Sequence, residues 1–216
     1  MRDKVKKRGS IYRFVTLVLL TLLVSTSLAF PAVVGRFDDA VAAYERGDYA
    51  TAFRLMKPFA EKGDAKSQHN LGVMYDYGRG VPQNYTEAMK WYRKAAEQGL
   101  PDAQHNLGVM YEKGQGVPQN FNEAAKWYRR AAEQGLPESQ VNLGMLYYNG
   151  QGVPQDYVLA HMWLSLSASR YPASVRKNVN DIVHYKEIVD AKMTPAQIAE
   201  AQRLACEWME KHVQSR

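Results

Sequence analysis

An all-α solenoid of antiparallel helix pairs is the fold class this sequence predicts, and three observations predict it. The first is a 36-residue period: Trp91, Trp127 and Trp163 obey it, as do Leu71, Leu107 and Leu143. Gly72, Gly108 and Gly144 share the spacing, with Tyr75, Tyr111 and Tyr147, and Ala88, Ala124 and Ala160. The second is a recurring loop, GRGVPQN from Gly78, GQGVPQN from Gly114 and GQGVPQD from Gly150. The third is that each period holds two apolar stripes spaced by three and four residues, the period of a helix rather than a strand. Units of this length bury a continuous core only by stacking on their neighbours.

Residues 1–29 read as a secretory signal. Six basic residues and one acid precede an apolar run, FVTLVLLTLLV, from Phe14 to Val24. Ser27 and Ala29 are the small residues of a cleavage site before Phe30. The run is shorter than the ~20 residues a membrane-spanning helix needs. An uncleaved N-terminal anchor is the alternative. The expected location is therefore outside the cytoplasm, periplasmic or secreted. This segment holds +5 of the formal charge of +6, so the rest of the chain is nearly neutral. No basic tract or nucleic-acid motif remains to suggest DNA or RNA.

Residues 30–64 form an atypical first hairpin. Gly47, Tyr49 and Ala52 keep the pattern of the later units, but the long loop shrinks to Arg46-Gly47-Asp48. Leu55 stands where the tryptophan would be, and Pro58 is expected to bend the second helix.

Residues 65–170 hold three units, 65–100, 101–136 and 137–170. In the middle one, Pro101 opens the first helix, where its missing N–H costs nothing. Leu107, Met110 and Tyr111 form its apolar stripe, and Gly114 ends it in a left-handed turn. Pro118 cannot continue it. Asn120 caps the second helix, with Glu123 at capping-box spacing. Ala124, Trp127, Tyr128, Ala131 and Ala132 are its buried face, and Gly135 closes it. The small Gly108 and Ala124 allow close helix approach. After Arg170 the period is lost. Residues 171–216 read as capping helices, one over 173–191 and one opening at Thr194-Pro195-Ala196-Gln197, with Ile198, Leu204, Ala205, Trp208 and Met209 as its apolar stripe. Cys206 has no partner for an internal disulfide and is expected to be a small buried residue.

The pattern LGxxYxxGxGVPQ(N/D)xxxAxxWxxxA over residues 65–170 resembles the Sel1-like repeat, a relative of the tetratricopeptide repeat. The atypical hairpin at 38–64 is closer to a plain tetratricopeptide unit. The tail, MTPxQxAEAQxLA from Met193, is similar to those of bacterial Sel1-like proteins. The resemblance implies a right-handed superhelix of helix pairs. It further implies a non-enzymatic adaptor that holds other proteins together, without a cofactor.

The same resemblance places the binding groove on the first helix of each unit. Carried over by position, its residues are His69, Asn70, Val73, Asp76 and Tyr77; then His105, Asn106, Val109, Glu112 and Lys113; then Val141, Asn142, Met145, Tyr148 and Asn149. The recurring Asn could grip an extended peptide's backbone. It could equally bond the neighbouring helix and fix the stacking. Where a carboxylate clamp would carry cations, the chain has Lys66, Asp102 and Glu138, which favours a neutral or mildly basic peptide partner.

Chemistry has little support. His69 and His105, about 10 Å apart on neighbouring helices, are too distant to share one zinc ion. His161 reads as core, and His184 and His212 have no companion ligands nearby. The nucleophile elbow, Walker loop and zinc-protease motifs are absent. The aromatic residues of the second helices sit at core spacing. The sequence thus points to a protein- or peptide-binding scaffold of the bacterial envelope. An envelope hydrolase acting on cell-wall material and a membrane-anchored assembly factor are the alternatives.

Overall fold

The computed structural model describes residues 29–170 and 176–213. The signal reading of residues 1–28 lies outside this range. Among the described residues there are ten helices and no strand: α1 Ala29–Glu45, α2 Tyr49–Glu61, α3 Ala65–Tyr77, α4 Tyr85–Glu97, α5 Pro101–Lys113, α6 Phe121–Glu133, α7 Pro137–Asn149, α8 Tyr157–Arg170, α9 Arg176–Asp190 and α10 Pro195–Val213. Each helix from α1 to α8 packs on the next, and both α9 and α10 pack on α8. This is the helix-pair solenoid with capping helices that the sequence predicts. No helix among the described residues is long and apolar enough to cross a membrane.

The loop motif is explained residue by residue. Gly78, Gly114 and Gly150 take left-handed φ of 65°, 67° and 68° as helix C-caps. That conformation is costly for any residue with a Cβ. The glutamine of each VPQ turns back to cap the same helix: Gln83, Gln119 and Gln155 donate to the carbonyls of Asp76, Glu112 and Tyr148 at 2.7, 2.8 and 2.8 Å. Asn84 and Asn120 then cap α4 and α6, their Oδ1 accepting from the N–H of Glu87 and Glu123 at 3.0 and 3.1 Å. The glutamates pair with Lys90 and Lys126 one turn on, so the expected capping box is half made. The second glycine of each loop serves the next contact outward. A Cβ on Gly116 would lie 2.6 Å from the Tyr85 carbonyl oxygen, so the loop rests directly on the start of α4.

Within the first two long units the paired helices meet through a glycine and a ring, whereas in the third a Cβ on Gly144 would face the Ala160 carbonyl oxygen at 3.1 Å and Leu164 Cγ at 3.2 Å. A Cβ on Gly108 would lie 2.6 Å from Tyr128 ring carbons, and one on Gly72 would lie 2.5 Å from Tyr92. The close approach expected of Gly108 is therefore made by Tyr128 rather than by Ala124. Ala124, Trp127, Tyr128, Ala131 and Ala132 are all buried, as the stripe predicts. Each fully buried aromatic or leucine removes apolar area worth about 1.5–3 kcal/mol from water.

The C-terminal cap is anchored by rings. Trp208 of α10 meets Trp163 of α8 edge-on at 6.2 Å, and the Arg170 guanidinium lies 5.3 Å from the Trp208 centroid. Thr194 and Gln197 form a complete reciprocal cap: the Thr194 N–H donates to Gln197 Oε1 at 2.9 Å, and the Gln197 N–H to Thr194 Oγ1 at 3.3 Å. Three expectations are corrected here. Cys206 is exposed, because α10 buries only the side that faces α8. Met209 is 37% exposed, and Ala201 takes a place in the buried stripe instead. His212 is not isolated; it stacks on Trp208 with centroids 3.7 Å apart.

Candidate functional site

The candidate site is the row formed by α3, α5 and α7, the first helices of the three long units. Residues three and four apart share one helix face, so 69/70, 73 and 76/77 line up on α3, and their counterparts line up on α5 and α7. The structure joins these rows. Asn106 Nδ2 lies 3.0 Å from His69 Nε2, and His105 Nδ1 lies 2.9 Å from Ser139 Oγ. Both bonds run from one unit to the next. His69, Asn70, Val73, Asp76, His105, Asn106, Val109, Glu112, Asn142, Met145 and Tyr148 are all part-buried, whereas Lys113 is exposed. Tyr77 is 65% exposed, a high value for a large apolar side chain.

Beneath the row, the second helices supply hydroxyls. Tyr92 donates to Asp76 Oδ2 at 3.2 Å, and Tyr128 donates to Glu112 Oε2 at 2.5 Å. In the third unit Tyr148 replaces the acid and Leu164 replaces the tyrosine. Donor and acceptor are lost together, as a paired contact requires, since either one alone would be stranded.

Burial dominates the titration of the row. It pushes the His69 and His105 imidazoles below their ordinary value, against the opposing pull of Asp102 on both and of Glu138 and Glu112 on His105. Burial also raises the Asp76 carboxyl, with the Tyr92 hydroxyl and Lys113 acting against it. The histidines are thus neutral hydrogen-bonding groups near pH 7.

Sequence reasoning missed the glutamines just before His69, His105 and Val141. Gln68, Gln104 and Gln140 are buried and donate to the carbonyls of Ala60, Ala96 and Ala132 at 3.0, 3.1 and 3.1 Å, at the ends of the preceding helices. Gln98 and Gln134 donate in turn to Gln68 and Gln104 at 2.7 and 2.8 Å. The 36-residue recurrence of the glutamines was a visible signal. Arg93 and Arg129 make a further link between units, donating to the hydroxyls of Tyr111 and Tyr147 at 2.6 and 2.7 Å.

Two other groupings bear on chemistry. His161 is fully buried, with Asp190 Oδ1 of α9 at 3.2 Å from Nε2 and Ser165 Oγ at 3.3 Å from Nδ1. The aspartate contact lacks hydrogen-bond alignment, and an imidazole closed to solvent cannot meet a substrate. A shallow cavity of 420 Å³ lies along α4, lined by Met89, Trp91, Lys94 and Gly116 among others. No group of three or more His, Cys, Asp or Glu among the described residues is placed to hold a metal ion.

Fold and site together define an α-solenoid with a repeated polar face. The Sel1 repeat family model matches residues 41–64, 65–100, 101–136 and 137–171, more than half of the chain. The chain belongs to the Sel1 repeat family. The match includes the atypical first hairpin, beyond the three units the sequence pattern marks. A protective antigen of uropathogenic Escherichia coli strains, c5321, with an SLR fold, superposes with a TM-score of 0.71 at 35% identity, over 83% of this chain and 38% of that one. A Sel1 repeat protein from Oxalobacter formigenes gives a TM-score of 0.52 at 41% identity, over 58% of this chain and 95% of that one. A curated relative, the DAP3-binding cell death enhancer 1 of rat, is 37% identical over 43 residues. That stretch is 20% of this chain and 8% of the relative. Sel1 repeats are in general protein-interaction scaffolds, and the fold is typically non-catalytic.

Proposed function

We propose that this chain is an exported, non-enzymatic scaffold of the bacterial envelope that holds a protein or peptide against the row formed by α3, α5 and α7. The observation that carries this reading is the division of work along these helices. Their polar edge is occupied by bonds between units, His69 with Asn106 and His105 with Ser139. What is left facing outward is a graded surface of Val73, Val109 and Met145 flanked by Tyr77, Lys113 and Tyr148, all partly or fully exposed. Part-exposed apolar side chains rimmed by polar ones are the composition of a recognition surface.

The structural use of Asn106 moves the weight of binding from the asparagines to this outer surface. The test is the double substitution Tyr77→Ala with Lys113→Ala, at two exposed positions where truncation leaves the core intact. The expected result is loss of the partner that co-purifies from the envelope, with an unchanged melting temperature. Full retention of that partner would sink the proposal. Export has its own check: mass spectrometry of the mature protein should give a chain that begins at Phe30.

A further inference from the structure

We infer that the N-terminal end of this row takes an acidic side chain of the partner, an Asp or Glu whose carboxylate binds the Arg79 guanidinium within a frame of three tyrosine rings. The inference rests on the binding reading above and names the group recognised. The Arg79 guanidinium carbon lies 5.8, 5.4 and 5.2 Å from the ring centroids of Tyr44, Tyr49 and Tyr77. Tyr44 and Tyr49 meet edge-on at 5.1 Å, so the frame is packed in advance. The loop that carries Arg79 is fixed as well. Its N–H donates to the Met74 carbonyl at 2.8 Å, and a Cβ on Gly80 would lie 2.4 Å from the Tyr49 carbonyl oxygen. The guanidinium makes one hydrogen bond inside the frame, from Nη1 to the Tyr44 hydroxyl. It has five N–H donors, and a neutral phenol cancels none of its charge. No ion pair among the described residues involves Arg79.

The acids near the frame are engaged elsewhere. Asp48 accepts from the Thr51 N–H at the start of α2, and Asp76 accepts from the Tyr92 hydroxyl and faces the charge of Lys113. Glu45 and Arg46 are exposed neighbours at the end of α1 and offset each other. Lys66 stands at the far end of α3 from Tyr77. The repeat supplies an internal comparison. The place of Arg79 is taken by Gln115 and Gln151 in the next two units, and that of Tyr77 by Lys113 and Asn149. The loop folds with the same glycine caps in all three, so the turn itself requires neither Arg79 nor Tyr77. Tyr77 is nevertheless 65% exposed, and Arg79 is only partly covered. An exposed aromatic beside a fixed arginine without a counter-charge is the composition of a binding hot spot. A carboxylate fits the guanidinium fork with two parallel bonds. Lys113, whose charge Asp76 partly offsets, adds the same sign one unit on. An acidic anchor departs from the neutral or mildly basic partner expected from Lys66, Asp102 and Glu138. The cation sits in the loop after α3, beyond the helix positions compared there.

The experiment uses the full chain and two fluorescein-labelled peptides with amidated C-termini, (Glu-Ser-Gly)3 and the same with Gln for Glu. Fluorescence anisotropy should show the Glu peptide binding about tenfold or more tightly than the Gln peptide. Binding should weaken as salt is raised. In nitrogen-15 spectra the Arg79 Nε–Hε resonance, identified by its absence in Arg79→Gln, should move and saturate with the Glu peptide. Arg79→Gln installs the residue the other two units carry, so the melting temperature should hold while the preference disappears. Lys90→Gln on α4 removes the same charge elsewhere and should leave the preference intact. Equal binding of the two peptides would overturn the carboxylate inference and leave the binding row standing. An equal loss from Lys90→Gln would mean unspecific attraction and overturn it too. An Arg79 resonance that moves with protein concentration alone would assign the carboxylate to a second copy, again against the inference. Failure of the Glu peptide to bind overturns the inference. If the Tyr77/Lys113 substitutions also leave co-purification unchanged, the binding reading falls with it.

Discussion

Gly108 and Asn106, two positions apart on α5, recur at the same spacing for different reasons. Gly108 is required because a side chain there would collide with the Tyr128 ring, 2.6 Å from the Cβ it would carry. Gly108→Ala is expected to cost about 1–3 kcal/mol through forced displacement of that ring, read as a fall in melting temperature. A Cβ on Gly144 would lie 3.1 Å from the Ala160 carbonyl oxygen and 3.2 Å from Leu164 Cγ, a looser fit than the 2.6 Å at Gly108. Gly144→Ala should therefore cost visibly less, and equal losses at the two sites would contradict the packing account. Asn106 is required for its bond to His69. Asn106→Ala should destabilise by about 1 kcal/mol, since it leaves a part-buried imidazole nitrogen without its partner. A thermal melt measures this. The recurrence of both residues was legible in the sequence, but their partners were not. Spacing says which side chains return, whereas the Asn106 contact is 37 residues away on a helix of the previous unit. The same limit hid Gln104, whose acceptor is the Ala96 carbonyl.

At the scale of the element, helices and loops were read well because their signals are local. Proline at N1, glycine at the C-cap and asparagine at the N-cap act on backbone groups within four residues. Pro101, Gly114 and Asn120 all stand where those rules put them. The cap at the C-terminus was read less well, since a helix pattern does not say how many sides are covered. α10 packs on α8 through one face, so Met209 and Cys206 of its apolar run reach solvent. Trp208 is the centre of that face, between Trp163, Arg170 and His212. Trp208→Ala should release α10 before the rest of the chain unfolds. Its amides should then exchange faster while those of α5 and α6 keep their protection, as the neighbour-only contacts of a solenoid require. Uniform loss of protection through all units would mean that the cap and repeats form one cooperative unit.

At the scale of the whole molecule, buried titratable groups set the pH range of stability. His69, His105 and His161 are all pushed below the ordinary value of 6.5, chiefly by burial. The unfolded chain therefore binds protons first as pH falls. Stability should be fully present above about 6.5 and decline below it, toward the lowered native values. Tyr92 and Tyr128 are raised from 10.0, again chiefly by burial. Stability should also fall above about pH 10, where the unfolded tyrosines ionise first. Melting temperatures across the pH range check both limbs. His105→Gln should flatten the acid limb if the histidine is its source.

The central claim is that the row of α3, α5 and α7 is the face that meets a partner, and position-resolved photo-crosslinking in the producing cell tests it most directly. A benzophenone amino acid would be placed at Tyr77 and Lys113 on the row, and at Lys90 and Lys126 on α4 and α6. One defined protein captured from Tyr77 and Lys113, and not from Lys90 or Lys126, is the result the account predicts. Capture from Lys90 and Lys126 alone would put the interaction on the second helices and contradict it.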